Sequence, residues 1–378
     1  MAALLHGAKD IRLEQIPTPA PLPHQVQIRP KATSICGTGM YPALSEVKRP
    51  TSAVLTFTDM HYYSSGKNGI FTVTTPLVLG HEAAGEIVAV GSEVTRVKVG
   101  DRVAIEPQRP CEICKQCRSG DYNVCPNMKF SGSASASPPV QGSLQELYCH
   151  SASFVHQLPE SVTWTEGAMV EPLSVACHAV KRSGLRLGES VLILGAGAIG
   201  LLCAAVAKAS GAKSIGMIDV DGARLEFAKA QGLATATSLI PMRQDEGEDK
   251  AAFSARLATQ TLSLDGFEQA NVVFECTGVE TCVNIGIHCA APCGKVVLVG
   301  MGAPIQNIKV GTAAVREVDL LAVWRYANTF ATAITLIASG QVNVKPFATH
   351  VFPLKEAASA LDVVVAKPAN LIKCVIEA

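Results

Sequence analysis

Neither sign of charge is in excess. The chain has 378 residues, in which 32 Lys and Arg balance 32 Asp and Glu. A neutral balance gives no electrostatic ground for gripping nucleic acid or an anionic membrane, so neither is expected as a partner. The opening residues, MAALLHGAKDIRLEQIP, lack the long apolar core of a secretory leader, and a cytoplasmic location is expected. There are no internal repeats, and the polar, low-order stretches are confined to Ser131–Pro139 and Arg243–Lys250. Long uncharged apolar runs are missing apart from SVLILGAGAIGLLCAAVA, Ser190 to Ala207, whose length alone would pass for a membrane span. With 48% apolar and 17% charged residues the chain is globular rather than disordered. Its length suits about two domains at ~150 residues each. Cysteine is plentiful. The 13 thiols are odd in number and several are clustered, which points to a reducing compartment and metal sites rather than a disulfide framework.

The first third reads as short alternating segments broken by Gly and Pro. QVQIRPKAT, GEIVAVGSEV and DRVAIEP are expected to be half-buried strands of a mostly β unit. From about Ser190 the pattern changes to strand–helix alternation: SVLILG, then AIGLLCAAVAKASG, SIGMIDVD, ARLEFAKAQG, NVVFECTG and GKVVLVGMG. That alternation predicts a doubly wound parallel sheet. The tail returns to mixed segments and is expected to complete the β domain. The long apolar run is therefore a strand, a turn and a helix.

LILGAGAIG places Gly195, Gly197 and Gly200 after a strand and at the opening of a helix, with Ile199 among them. Gly195 permits the tight turn, Gly197 lets the backbone approach a pyrophosphate, and Gly200 lets helix and strand pack closely. Asp219 ends the next strand, where a carboxylate can bind both ribose hydroxyls and repel a 2′-phosphate. NAD is thus expected over NADP, although Arg224 nearby could accept a phosphate. A glycine-rich turn without cofactor is the alternative, but all four elements occur in order.

PCEICKQCRSGDYNVC sets Cys111, Cys114, Cys117 and Cys125 in one loop. Four thiolates from so short a segment can surround one tetrahedral Zn²⁺ with no open position, as in a structural site. An iron–sulfur centre is the competing use of such spacing. His81 and Glu82, in GHEAAG, form a pair that is ordinary by itself. Cys36 and Glu171 are further ligand candidates, and the linear sequence does not bring them together.

With GHEAAGEIVAVGSEV, VGDRVAIEP, the four-Cys lobe, EPLSVACHA, LGAGAIG, ECTG and REVDLLAVWRYANT, the chain resembles the zinc-dependent medium-chain dehydrogenases over nearly its whole length. Within them it resembles the polyol (sorbitol and xylitol) dehydrogenases. The resemblance implies a GroES-like catalytic domain over 1–175, a Rossmann domain over 176–312, a return over 313–378, and a homotetramer. It implies one catalytic and one structural zinc, NAD, and a polyol as substrate. Cys36, His81 and Glu82 match the catalytic-zinc ligands. Glu171 matches a carboxylate beside the metal, and Tyr62, Arg325 and Tyr326 match a polyol pocket. Val299 and Gly300 join the cofactor residues. In ethanol-type members a later Cys completes the metal site. Here Glu171 stands instead, a harder environment suited to a hydroxylated substrate. The implied chemistry is loss of a hydroxyl proton at the open metal position, relayed by Thr38 and water, with hydride passing to the nicotinamide. Rival readings are a zinc dehydrogenase of threonine, a simple alcohol or another pentitol, and a catalytically impaired member.

One departure is large. Family members run directly from Cys-Gly-Thr (or Ser) to Asp-x-His-Tyr, whereas Gly39–Thr58 intervenes here. Gly39-Met40-Tyr41 can be encoded with a GTATGT splice signal, Leu55-Thr56 with CTAAC, and Thr58-Asp59 with an AG acceptor. The stretch reads as an in-frame retained intron, the alternative being a functional loop. It carries Pro42, Lys48, Arg49 and Pro50 and no sustained amphipathic period, so a protruding loop is expected, with its ends close together. Loop closure grows by only about 0.6 kcal/mol per doubling of length, so the fold should tolerate it. A pocket misplaced by ~1 Å can cost about a hundredfold in rate. A chain lacking 39–58 is therefore expected to be soluble and more active than the full chain. Activity assays on both forms check this, and full activity only with the stretch present would make it a true part of the enzyme.

Overall fold

The computed structural model describes residues 1–37, 59–264, 267 and 269–378. Thr38 and the 39–58 stretch, with the loop expected there, lie outside the described residues. The chain forms two compact units, 1–174 with 327–378, and 175–326.

The first unit is built on a seven-stranded sheet. Its order is Val155–Gln157, Arg102–Ile105, Glu82–Val90, Gln25–Ser34, Lys373–Glu377 and Ala348–Pro353, and Tyr148–Ser151 also pairs with Gln25–Ser34. Over most of its length QVQIRPKATS alternates in burial, as a strand with one face on a core must. Val26, Ile28, Ala83, Ile87, Val103, Ile105 and Tyr148 form that core. The register sets the site. Ser34 pairs with Glu82 on one side and with Val375 on the other. Cys36 thus follows the end of the central strand, between the start of the strand that carries Glu82 and the start of the one that carries Lys373.

The four-Cys segment leaves this body as a lobe with a short α-helix, Lys115–Arg118, and a 3-10 turn, Tyr122–Val124. It is tied back by Tyr122, whose hydroxyl donates to the buried Glu106 carboxylate at 2.7 Å and accepts the Asn328 N–H at 2.9 Å.

The second unit holds a six-stranded, all-parallel sheet in the order Ala236–Leu239, Ser214–Asp219, Ser190–Leu194, Ala270–Glu275, Ala290–Leu298 and Asp319–Ala322. This is the doubly wound order expected of a dinucleotide-binding sheet. SVLIL is buried at every residue because helices cover both faces. The long apolar run divides into this strand and the helix Ala198–Ala209, and among the described residues no helix is long and apolar enough to cross a membrane. The unit continues to Tyr326 because Asp319–Ala322 pairs with the sheet. The returning segment therefore starts at Ala327, where the sequence placed it at 313.

Gly195 has φ +99°, which favours glycine, and closes the turn out of the first strand. A Cβ on Gly200 would lie 1.8 Å from the Gly195 carbonyl oxygen, so only glycine allows helix and turn this close. Beside Gly197 there is open space. Replacing Gly200 with Ala should destabilise the protein by about 1–3 kcal/mol, the usual cost of overpacking. Denaturant unfolding measures this, and an unchanged midpoint would mean that the helix does not approach the turn as described.

Candidate functional site

In the first unit, Cys36, His81 and Glu82 are all buried, and one ligand atom from each lies within 4.8 Å of the others. A thiolate, an imidazole and a carboxylate make a three-protein-ligand set of the kind catalytic zinc uses, with a fourth position left open. The donors are oriented by neighbours. Asp59, 1% exposed, accepts the Cys36 N–H at 3.1 Å and the Gly80 N–H at 2.9 Å, and its Oδ1 lies 3.4 Å from His81 Nδ1. With Nδ1 so engaged, Nε2 is the nitrogen left to bind a metal. Burial works against charge on Asp59, but His81 and the two backbone N–H groups outweigh it and hold its carboxyl below the usual range. Burial likewise opposes charge on His81, and Asp59 and Cys36 raise it well above its ordinary value.

Glu82 Oε2 accepts from both the Ser34 hydroxyl and the Lys373 ammonium. Lys373 also donates to the Ile35 carbonyl at 3.2 Å, next to Cys36. This lysine is 5% exposed. Burial disfavours its charge, yet Glu82, Cys36 and Glu171 together keep it above its ordinary value. Oε2 is thus occupied by protein donors, which leaves Oε1 as the oxygen to offer a metal. Glu171 sits in the first turn of the helix Val170–Ser183, buried, near enough to Lys373 to act on it.

Tyr62 lies in the helix Asp59–Ser65 and is buried. Its hydroxyl is 3.2 Å from Ser133 Oγ and accepts the Ala134 N–H at 3.1 Å. Burial raises its pKa. Cys36 and Asp59 stand on either side of the 39–58 stretch and meet through the hydrogen bond above, so the chain returns to its starting point across it.

In the lobe the four sulfurs of Cys111, Cys114, Cys117 and Cys125 also converge within 4.8 Å. Cys114 Sγ lies 3.4 Å from Cys117 Sγ and 3.9 Å from Cys125 Sγ, and Cys125 Sγ lies 3.6 Å from Cys111 Sγ. A tetrahedral ion with metal–sulfur bonds of ~2.3 Å needs sulfurs about 3.8 Å apart, so the residues fit zinc. The thiols conflict electrically. The Ile113 and Cys114 N–H groups pull Cys111 down to about 6, while burial and adjoining sulfurs push Cys117 up to about 12. A dication removes that conflict.

In the second unit Asp219 stands at the carboxyl end of its strand. Its Oδ2 accepts the Ala196 N–H at 2.5 Å and its Oδ1 the Asp221 N–H at 2.8 Å. Burial raises its pKa. Arg224 lies against Asp221, with Nε 3.5 Å from Oδ2. Ile199 is half-buried in the first turn of the helix, and Val299 and Gly300 follow the Ala290–Leu298 strand, their N–H groups donating to the Glu275 carbonyl at 2.9 and 2.7 Å. Arg325, at φ +50°, lies with its guanidinium 4.9 Å over the Trp324 ring, and Tyr326 is fully buried. Sequence reasoning missed Ser34, Lys373 and the role of Asp59. Only for Asp59 was there a signal, its place at the far end of the intervening stretch.

The comparisons with known proteins agree in direction. Residues 22–160 match the alcohol dehydrogenase GroES-like domain, and residues 198–339 match the zinc-binding dehydrogenase model. The chain is 40% identical over 362 residues to a sorbitol dehydrogenase of Gallus gallus, covering 96% of this chain and 92% of that one. It is 38% identical over 377 residues to sorbitol dehydrogenase 2 of Saccharomyces cerevisiae, covering 99% and 97%. Among solved structures, an oxidoreductase/dehydrogenase of unknown specificity from Escherichia coli superposes with a TM-score of 0.82 at 31% identity, covering 100% of this chain and 98% of that one. The chain belongs to the zinc-dependent medium-chain dehydrogenases, in their polyol dehydrogenase subgroup.

Proposed function

We propose that this chain oxidises a secondary hydroxyl of a polyol, such as sorbitol or xylitol, to the ketose, with hydride transfer to NAD. The observation that carries the reading is the buried Cys36–His81–Glu82 donor set, with Lys373, on which Glu82, Cys36 and Glu171 all act, paired to Glu82. It combines an open metal position with a carboxylate-rich surround that suits a hydroxylated substrate. In this reading Cys36, His81 and Glu82 hold the catalytic zinc, and the four lobe cysteines hold a structural one. Zinc supplies a Lewis acid that makes a substrate hydroxyl acidic, and NAD accepts the hydride.

The protein's own groups do the rest. Asp59 fixes the His81 tautomer. Ser34 and Lys373 hold Glu82 by one oxygen. Glu171 accepts a hydrogen bond from substrate or water, and Thr38 hands the proton outward. The family resemblance gives substrate contacts to Tyr62, Arg325 and Tyr326. Gly195, Gly197, Ile199 and Gly200 receive the pyrophosphate, Asp219 binds the ribose with Arg224 at its margin, and Val299 and Gly300 line the remainder of the cofactor site. The catalytic domain spans 1–175, completed by the tail, with the nucleotide domain between. In this reading the subunits form a cytoplasmic homotetramer, and the Asp319–Ala322 edge of the parallel sheet offers backbone groups for pairing with a second copy.

A panel of sorbitol, xylitol, L-arabinitol and threonine, each with NAD and with NADP, tests the reading. A polyol with NAD is expected to give the highest kcat/KM, and threonine as the best substrate would overturn it. Replacing Asp219 with Ser should narrow the NAD preference about tenfold or more, because the ribose loses its carboxylate and a 2′-phosphate is no longer repelled. Equal kcat/KM for the two cofactors in the unaltered enzyme would defeat that assignment. Metal analysis should find about two zincs per chain, falling to about one in Cys114→Ser together with a lower unfolding midpoint. Full zinc content in this variant would show that the lobe is not a four-Cys site.

A further inference from the structure

Glu275 ends the Ala270–Glu275 strand and is fully buried. The buried carboxylates of the first unit's polar clusters each face a base: Glu82 has Lys373, Glu106 has His156 and Asp59 has His81. Glu275 has no ion-pair partner among the described residues. Its donors come from the turn that follows it. Oε1 accepts the Thr277 N–H at 2.8 Å, the Gly278 N–H at 3.0 Å and the Thr277 hydroxyl, and Oε2 accepts the Gly278 N–H at 2.9 Å. Burial pushes its pKa up against the pull of these donors. A carboxyl group buried without a cation costs stability unless hydrogen bonds offset it, and here all of them serve to hold one turn.

That turn is where the parts of the dinucleotide site meet. A Cβ on Gly195 would lie 2.7 Å from the Thr277 methyl, so Thr277 packs on the glycine-rich turn. A Cβ on Gly300 would come within 2.2 Å of Gly278 N, and one on Gly302 within 1.6 Å of Gly278 O. Gln306 Nε2 donates to the Gly278 carbonyl at 3.0 Å, and the Cys276 N–H donates to Leu194 O at 2.9 Å. The strand order reverses between Ser190–Leu194 and Ala270–Glu275, and a dinucleotide lies across that reversal at the carboxyl ends of the strands. Asp219 serves the half on the Ser214–Asp219 side. The Glu275 turn belongs to the other half, which takes the nicotinamide nucleoside.

We propose that Glu275 is a positioning residue for the nicotinamide half of the bound cofactor. It acts through Thr277 and Gly278, whose backbone it holds so that Gly195 on one side and Val299–Gly300 on the other form a continuous floor. It touches no cofactor atom itself. This inference rests on the NAD reading above.

The test measures binding to the full-length, zinc-loaded protein, with NADH as the whole-cofactor probe and AMP as a probe of the adenosine half alone. In Glu275→Ala the Kd for NADH is expected to rise about tenfold or more, while that for AMP moves less than about twofold. Glu275→Gln keeps one oxygen for Thr277 and Gly278, so it should recover part of the loss. Unchanged NADH binding in Glu275→Ala, or equal weakening of NADH and AMP, would overturn the proposal, the latter because it marks general damage to the domain. If Glu275→Ala does not fold, Glu275→Gln and Thr277→Val decide the matter. Each removes part of the hydrogen bonding and should weaken NADH alone by about threefold or more, and unaltered NADH binding in both overturns the proposal. Failure of the unaltered protein to bind either probe would instead sink the NAD reading itself.

Discussion

The ion pair between the buried Lys373 ammonium and the Glu82 carboxylate is the interaction on which the first unit's site depends. Cys36, Glu82 and Glu171 are three acidic groups brought together in a region with almost no solvent contact. Negative charges so placed repel one another. One cation among them lets the cluster exist before any metal arrives, and its bond to the Ile35 carbonyl fixes the backbone next to Cys36. Breaking a buried pair is far costlier than never having made it, because one charge is left stranded. The pair is available because the sheet register sets Glu82 and Lys373 on strands that flank Ser34.

Asp59 does for backbone and imidazole what Lys373 does for charge. A single carboxylate joins the chain on both sides of the 39–58 stretch to the segment that bears His81. Cys36, His81 and Glu82 can therefore converge whatever the intervening residues do, since their geometry is held by a hydrogen bond across the stretch. Among the described residues, the second unit solves its own positioning problem without a buried cation. There, Gly278 packs closely on Gly300 and Gly302, and Gly195 on Thr277, with two carboxylates, Asp219 and Glu275, accepting the backbone N–H groups of the turns. Backbone is thus brought nearer to backbone than any side chain would permit.

How much of this was legible in the sequence follows from separation along the chain. The four-Cys lobe was readable because its cysteines all fall in one short segment, so their spacing carries the geometry. The glycine-rich turn was readable for the same reason: strand, turn and helix are consecutive, and Gly200 meets Gly195 within one turn of chain. The parallel sheet was readable from the alternation of strands and helices. The second compact unit runs on past 313 to Tyr326, which the sequence did not signal, because Asp319–Ala322 is a short and only partly buried edge strand with little pattern of its own.

The sequence by itself determined the elements, the four-Cys lobe and the glycine-rich turn, since hydrophobic period and residue spacing act over short distances. It named Cys36, His81, Glu82 and Glu171 through resemblance, without a physical reason for them to meet. Only the tertiary structure decided the surroundings of those residues. Lys373 reaches Glu82 across 291 positions, and Asp59 reaches Cys36 across 23 that include the intervening stretch. Neither contact leaves a trace in local pattern, because a lone Lys or Asp has the same propensities whether it faces solvent or a buried carboxylate. What selects the buried role is strand register, and register is settled only when the whole sheet is assembled.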